Sequence, residues 1–373
     1  MKLTINREVF LEALQRVQGI VERKHTMPIL AHILLRASPE GLELSATDLE
    51  VGLRLQYPAE VSEPGGVTLQ AKKAYEIARE LPERGRIGLT GRENNWVELS
   101  CGRARFRVVG LPAEEFPELP VVEGAEPFEM TAGVMAGMIE KTIFAVSTDE
   151  TRYNLSGVFV ESFAEKGKGV LRMVATDGHR LCLVDEEIEA KQAKRVGKGV
   201  ILPRKGLLEL RKMIEEGLDT VSLGLKGNSA VIRGERGVVV MRLVEGEFPD
   251  YRQVIPETAG RKVLMKREEI TAGLRRVSII ANEKTRPVKL MVSAGTLVLS
   301  ASHPDLGEAV EEMEVQFEGE PIEVGFNARY FLDVLNVLTG EEVELGLGDE
   351  ASPAVLRAVG DEGYLAIIMP MRF

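Results

Sequence analysis

The residues best placed to do chemistry stand together at Asp177-Gly178-His179. An aspartate that orients a histidine makes a general base, so the pair admits a hydrolase reading. The same residues also spell a turn. Asp-Gly is a strong hairpin signal, and Ala46-Thr47-Asp48-Leu49 repeats the Thr-Asp pair of Thr176-Asp177 with no histidine beside it. Turn chemistry is the preferred reading, and hydrolysis by Asp177 and His179 the minor alternative. The other histidines, at 25, 32 and 303, are scattered, so no metal constellation forms. Cys101 and Cys182 supply neither a disulfide framework nor a metal cage. No Gly-Lys-Ser or Gly-Lys-Thr loop is present to cradle a nucleotide phosphate. The expectation is a chain with no catalytic residue, no metal and no cofactor.

What remains is charge. The net charge of −11 argues in bulk against a phosphate-rich partner, but a protein's field depends on where its charges sit. Six stretches with helical character (7–24, 71–86, 131–146, 204–216, 266–286 and 327–338) hold twenty-one Lys and Arg against fourteen Asp and Glu, leaving −18 for the rest of the chain. A basic helical layer on an acidic remainder is the footprint of a nucleic-acid-facing surface. Aromatic residues are only 5% of the chain, Tyr75 and Tyr330 being the clearest on these helices. Stacking platforms for single strands need more. Zinc-finger and helix-turn-helix patterns are missing too, which points to loose, sequence-independent phosphate contacts with a duplex.

The elements that carry these residues recur three times. A short strand feeds a helix at Leu3-Thr4-Ile5-Asn6-Arg7, at Phe128-Glu129-Met130-Thr131-Ala132 and at Val263-Leu264-Met265-Lys266-Arg267, with Asn6 and Thr131 as N-caps. A second strand-helix pair follows in each copy, at Val67-Thr68-Leu69-Gln70-Ala71, Val200-Ile201-Leu202-Pro203-Arg204 and Val324-Gly325-Phe326-Asn327-Ala328. Asp48, Asp177 and Asp305 mark turns between them, spaced at about 130 residues, a period for whole domains rather than a solenoid. Short alternating runs such as Gly41-Leu42-Glu43-Leu44-Ser45 fill the remainder. The reading is an α+β chain of three repeated domains, 1–122, 127–254 and 255–373, each of two helices on antiparallel sheets. With 44% hydrophobic and 28% charged residues, no long apolar run, and Lys2, Arg7 and Glu8 interrupting the N-terminus, the expectation is a soluble cytoplasmic protein.

Specific motifs then resemble a known family. Thr26-Met27-Pro28-Ile29-Leu30, Ala175-Thr176-Asp177-Gly178-His179-Arg180-Leu181, Leu202-Pro203-Arg204-Lys205-Gly206, Gly246-Glu247-Phe248-Pro249-Asp250-Tyr251, Ala281-Asn282-Glu283-Lys284 and Met369-Pro370-Met371-Arg372 occur in order. Together with the triplication they resemble the bacterial DNA polymerase III β subunit over the whole chain. That resemblance implies a sliding clamp, half of a closed ring. It further implies a head-to-tail homodimer whose twelve helices line a hole around duplex DNA and which tethers the replicative polymerase. Twelve helices about 9 Å apart give a ring of axes about 34 Å across, and about 24 Å of free width once helix thickness is removed. Six helices would close the hole. The alternative class is an open, non-catalytic DNA-binding scaffold.

The resemblance also implies sites. A pocket for a Gln-plus-hydrophobic peptide of the polymerase, the clamp loader and other partners falls on Leu155, Thr176, Gly178, His179, Arg180, Leu181, Pro249, Gln253, Val254, Asn327, Tyr330, Ile368, Met369, Pro370, Met371 and Arg372. Its apolar groove is expected to have His179 and Arg180 as polar rim. Gln253 departs from an arginine common in the family. DNA contacts carry over to Lys24, Lys72, Arg152, Tyr153, Asn154, Arg204 and Lys205, with Asp149 an acidic departure beside them. A dimer seam is implied between Arg103, Arg105, Phe106 and Val108 of one chain and Ile279, Ile280, Glu308 and Glu311 of the other.

Overall fold

The computed structural model describes all residues except 22–26, 121–123, 125, 166, 197–198, 235–236, 257–259, 283–284 and 373. Among the described residues the helices are α1 Arg7–Val17, α2 Ala71–Glu80, α3 Ala132–Thr142, α4 Ala193–Val196, α5 Arg204–Glu215, α6 Arg267–Val277 and α7 Ala328–Val337. All but α4 follow directly on a strand: Lys2–Asn6, Gly65–Gln70, Phe128–Thr131, Val200–Pro203, Arg261–Lys266 and Ile322–Asn327. These are the six strand-helix pairs expected from the switch of period. The short α4 escaped because four residues are too few to show one.

The first helix illustrates why these segments form. Asn6 accepts a hydrogen bond from the Glu8 backbone N–H at 2.9 Å, satisfying one of the orphan donors of the first turn. Phe10, Ala13, Leu14 and Val17 then face the core at helical spacing, and Arg16 lies in the last turn, where the helix dipole favours a cation. The helices are shorter than expected. Within the observed bounds α1, α2, α3, α5, α6 and α7 hold fourteen basic against ten acidic residues, so the basic excess is four rather than seven. Part of it is also internally engaged: Arg16 pairs with Glu209 at 2.8 Å and with Glu216, both members of the first pair being buried.

The chain packs as two compact units, each assembled from two segments. In the unit of Met1–Gly133 and Lys205–Leu243, a five-stranded sheet runs in the order Glu60–Glu63, Lys2–Asn6, Arg86–Gly91, Trp96–Cys101, Ala104–Val109. Its companion has eight strands, and within it Gly237–Arg242 pairs antiparallel with Val51–Tyr57, Met241 opposite Val51. The unit of Val134–Arg204 and Val244–Phe373 repeats the scheme. There an eight-stranded sheet joins Tyr364–Ile368 to Arg180–Ile188, with Ile368 opposite Arg180. A four-stranded sheet runs Gly307–Glu314, Thr296–His303, Pro287–Ser293, Ile322–Asn327. Among the described residues the named strands pair antiparallel, and strands such as Pro287–Ser293 and Thr296–His303 alternate buried and more open residues, as one-sided sheets do.

Helices cover the buried faces. In the second unit α6 buries Ile270, Gly273, Leu274 and Val277, and α7 buries Phe331, Val334 and Leu335, with Phe331 edge-on to Phe326 at 5.1 Å. Burying one such phenylalanine contributes about 2–3 kcal/mol. No helix among the described residues is long and apolar enough to cross a membrane.

Candidate peptide pocket and nucleic-acid surface

The residues expected to form a peptide pocket start at a turn. Between the strands Lys168–Thr176 and Arg180–Ile188, the Asp177 side chain accepts the backbone N–H groups of His179 (2.9 Å) and Arg180 (3.0 Å) on one oxygen and Arg180 Nε (3.1 Å) on the other. Thr176 Oγ1 accepts from Gly178 N and donates to the Arg180 carbonyl at 2.7 Å. Gly178 supplies a φ of +87°, which an L side chain adopts only with strain. Both Asp177 oxygens are thus engaged away from the His179 ring, and the dyad a hydrolase would need is not formed. Asp48 makes the same turn, bonding Glu50 N and Val51 N at 3.0 and 2.7 Å. The Thr-Asp signature was turn chemistry in both copies.

The C-terminal segment lies along this turn. Met369 N donates to the His179 carbonyl at 2.9 Å and Met371 N to the Gly325 carbonyl at 2.7 Å. The latter pins the tail beside the strand that ends at Asn327, whose side chain caps α7 by accepting Arg329 N. On the first turn of α7, Tyr330 stacks on His179 with ring centres 6.3 Å apart. Burial and the nearby Asp177 carboxylate push the Tyr330 phenol upward. Beneath the turn Leu181 is buried in an apolar cluster with Val174, Leu183, Tyr251 and Ile367. The 248–255 segment packs on the same cluster. Phe248 stacks on Phe159 at 5.0 Å, and Tyr251 and Ile255 pack down, while Val254 is left 42% exposed. Met369 is comparably open. Methionine, valine and leucine at a half-open site are what an adaptable hydrophobic groove requires.

The structure therefore gathers Thr176, Gly178, His179, Leu181, Asn327, Tyr330, Ile368, Met369 and Met371. Leu155 is buried and receives Ser147 N on its carbonyl. Pro249 and Val254 sit on the 248–255 segment. Pro370 and Arg372 lie on the tail, and Gln253 turns back to Asp250 (3.0 Å). One expectation is corrected: Arg180 is not rim. Its side chain is 7% exposed, with Nη1 2.6 Å from Asp333, Nη2 2.6 Å from the Phe144 carbonyl, and the guanidinium lying 4.7 Å from the Tyr330 ring centre. It is a buried strut behind the pocket. Asp333 and Phe144, which hold it, were not legible in the sequence, because nothing local links positions 144, 180 and 333. The Glu161–Tyr251–Arg172–Asp185 network at the 248–255 segment is likewise non-local.

The basic residues divide. Lys72 is exposed, with Glu76 3.8 Å away, and Arg204 is exposed at the start of α5. Lys205 is not available: its ammonium is hydrogen-bonded to the buried Asp48 carboxylate and, at 2.8 Å, to the Ile20 carbonyl. Lys24 lies outside the described residues. In the 149–155 loop Asp149 caps the turn, accepting Thr151 N and Oγ1; those bonds hold its carboxyl below the usual range, with Arg152 assisting. The departure from the family at Asp149 thus has a local structural role. Tyr153 is exposed.

Of the residues expected at a dimer seam, Arg105, Phe106, Val108, Glu308 and Glu311 lie on two strands that end their sheets. Ala104–Val109 ends the five-stranded sheet and Gly307–Glu314 ends the four-stranded one. The first carries Arg105, Phe106 and Arg107 just after Arg103; the second carries Glu308, Val310, Glu311, Glu312 and Glu314. Phe106, Val109, Val310 and Leu306 are exposed apolar side chains on these edges, and Ile279, after α6, is 74% exposed while Ile280 is half-buried. Glu311 pairs with Arg276, which keeps the Glu311 carboxyl ionised below the usual range.

The chain is similar to known proteins over its whole length. Family models match three consecutive segments: the DNA polymerase III beta subunit N-terminal domain over residues 1–120, its central domain over 129–250 and its C-terminal domain over 252–372. The beta sliding clamp of Escherichia coli K12 is 35% identical over 375 residues, covering all of both chains. Solved structures superpose closely. The DNA polymerase sliding clamp from Caulobacter crescentus has TM-score 0.93 at 37% identity, and the sliding clamp of Bartonella birtlesii bound to griselimycin has TM-score 0.94 at 35% identity, each covering all of both chains. The chain belongs to the DNA polymerase III beta subunit family.

Proposed function

We propose that this chain is a sliding clamp: a non-catalytic processivity factor that closes as a homodimer around duplex DNA and holds the replicative polymerase by a short peptide. The observation that carries the reading is a pair of sheet edges of opposite charge. Twice within the chain a late strand completes an earlier sheet, Gly237–Arg242 on Val51–Tyr57 and Tyr364–Ile368 on Arg180–Ile188. Their counterparts are Ala104–Val109 and Gly307–Glu314, which end their sheets. One edge is arginine-rich and the other glutamate-rich, so a head-to-tail contact with a second copy pairs opposite charges around Phe106, Val108, Ile279 and Ile280. The repeats in this reading are 1–122, 127–254 and 255–373.

Duplex DNA would meet Lys72, Arg152, Tyr153, Asn154 and Arg204 through its phosphates, without base readout. A partner segment with a glutamine and large apolar side chains would enter between His179, Leu181, Val254, Tyr330 and Met369, in the cytoplasm. Enclosure then keeps the polymerase at high local concentration. The test is retention on DNA after loading: the protein should stay on closed circular DNA and run off once the circle is cut. Equal, salt-sensitive loss from both forms would identify an open binding scaffold instead.

A further inference from the structure

The 149–155 loop sits across both turns that wall the peptide pocket. Arg152 Nη1 donates to the Asp177 carbonyl at 3.2 Å and approaches Gly178, where a Cβ would stand only 2.6 Å from that nitrogen. Two residues on, Asn154 Nδ2 donates to the Glu247 carbonyl at 2.9 Å, and the Tyr153 ring covers Gly246, which has a φ of +104°. Past these contacts, the first turn leads to His179 and Leu181 and the second to Pro249 and Val254. One short loop therefore holds the two walls at a set separation. Its two grips differ in kind. Asn154 makes a neutral bond, whereas Arg152 is a half-exposed cation with a single carbonyl and, 3.7 Å away, the Asp149 carboxylate. A phosphate is a stronger partner for a guanidinium than a lone carbonyl.

We propose that this loop is a clasp through which DNA and the partner peptide are coupled: a phosphate that draws Arg152 off Asp177 loosens one wall and weakens the peptide. The proposal rests on the sliding-clamp reading for both ligands. By reciprocity, bound peptide weakens the hold on DNA by the same factor. The effect expected from one half-exposed bond is about fivefold, the lower end of such couplings.

The experiment uses the full chain, a labelled synthetic peptide of glutamine followed by leucine and phenylalanine residues, and a short duplex at saturating concentration and low salt. Peptide Kd, read by fluorescence anisotropy, should rise about fivefold when duplex is added. Arg152→Gln removes the charge that a phosphate would draw on, so whatever its Kd without duplex, added duplex should leave that Kd within about twofold. Asn154→Ala releases the other wall and should weaken the peptide while the response to duplex persists. A parent Kd that duplex leaves unchanged overturns the coupling, and so does a full response in Arg152→Gln. If the parent takes neither peptide nor duplex, the underlying reading of the site fails first.

Discussion

Arg180 offers the sharpest test of how the pocket is held. Replacing it by methionine keeps most of the volume and removes the charge. Asp333 then loses its 2.6 Å partner, the Phe144 carbonyl loses a 2.6 Å donor, and Tyr330 loses the cation beneath its ring. Breaking a fully buried pair costs about 3 kcal/mol or more. Water still reaches Asp333, whose side chain is 27% exposed, which brings the expected loss to about 2 kcal/mol. The readout must be local. Trp96, the single tryptophan, sits in the other compact unit, and a chain of this size is unsuited to one global unfolding constant. Hydrogen exchange at the amides of the Arg180–Ile188 and Tyr364–Ile368 strands answers directly, with protection expected to fall about thirtyfold. Asp333→Asn, which keeps an acceptor for the guanidinium, should cost clearly less. Exchange within twofold of the parent in Arg180→Met would refute the strut.

Three further outcomes are expected from the same structure. Light scattering should give twice the 41.0 kDa of one chain, and Phe106→Arg, which sets a cation at the apolar centre of an already basic edge, should return the mass to that of a monomer. Burial, with the Glu161 hydrogen bond assisting, pushes the Tyr251 phenol from 10.0 up to about 12. A group that holds its proton more tightly when folded stabilises the fold fully below pH 10, and that contribution is lost as pH rises toward about 12. Tyr251→Phe should flatten this alkaline limb in a pH series of hydrogen exchange at the Arg180–Ile188 strand. Burial also raises the Cys182 thiol to about 12, so a thiol reagent at pH 8 should label Cys182 only on unfolding; rapid labelling of the native protein would contradict its enclosure.

Much of the fold was legible because it rests on local rules. The change from alternation to helical spacing marked all six strand-helix pairs, and Asn6 announced its own cap. The Thr-Asp turns were readable for the same reason, since Asp177 bonds residues two and three positions on. The pocket was harder. Its members came from a resemblance, and the error at Arg180 shows where residue type misleads: an arginine is expected at the surface, and only Asp333 and Phe144, distant in sequence, make it a core residue. Lys205 fails in the same way, drawn inward by Asp48. Helix ends were overrun because charge composition continues past Val17 and Val277 while the backbone turns away.

The pairing of Gly237–Arg242 with Val51–Tyr57 also bears on how the protein is made. Val51 waits for Met241, about 190 residues later in synthesis, which at ribosomal speed is about 10–40 s. Throughout that interval the Val51–Tyr57 edge has open N–H and C=O groups and an apolar face, the arrangement that recruits strands from other nascent chains. Arg180 waits as long for Ile368. Crowded polysomes should therefore be the setting in which this chain mispairs, and slowing translation between the paired strands should lower its soluble yield even though the finished protein is unchanged.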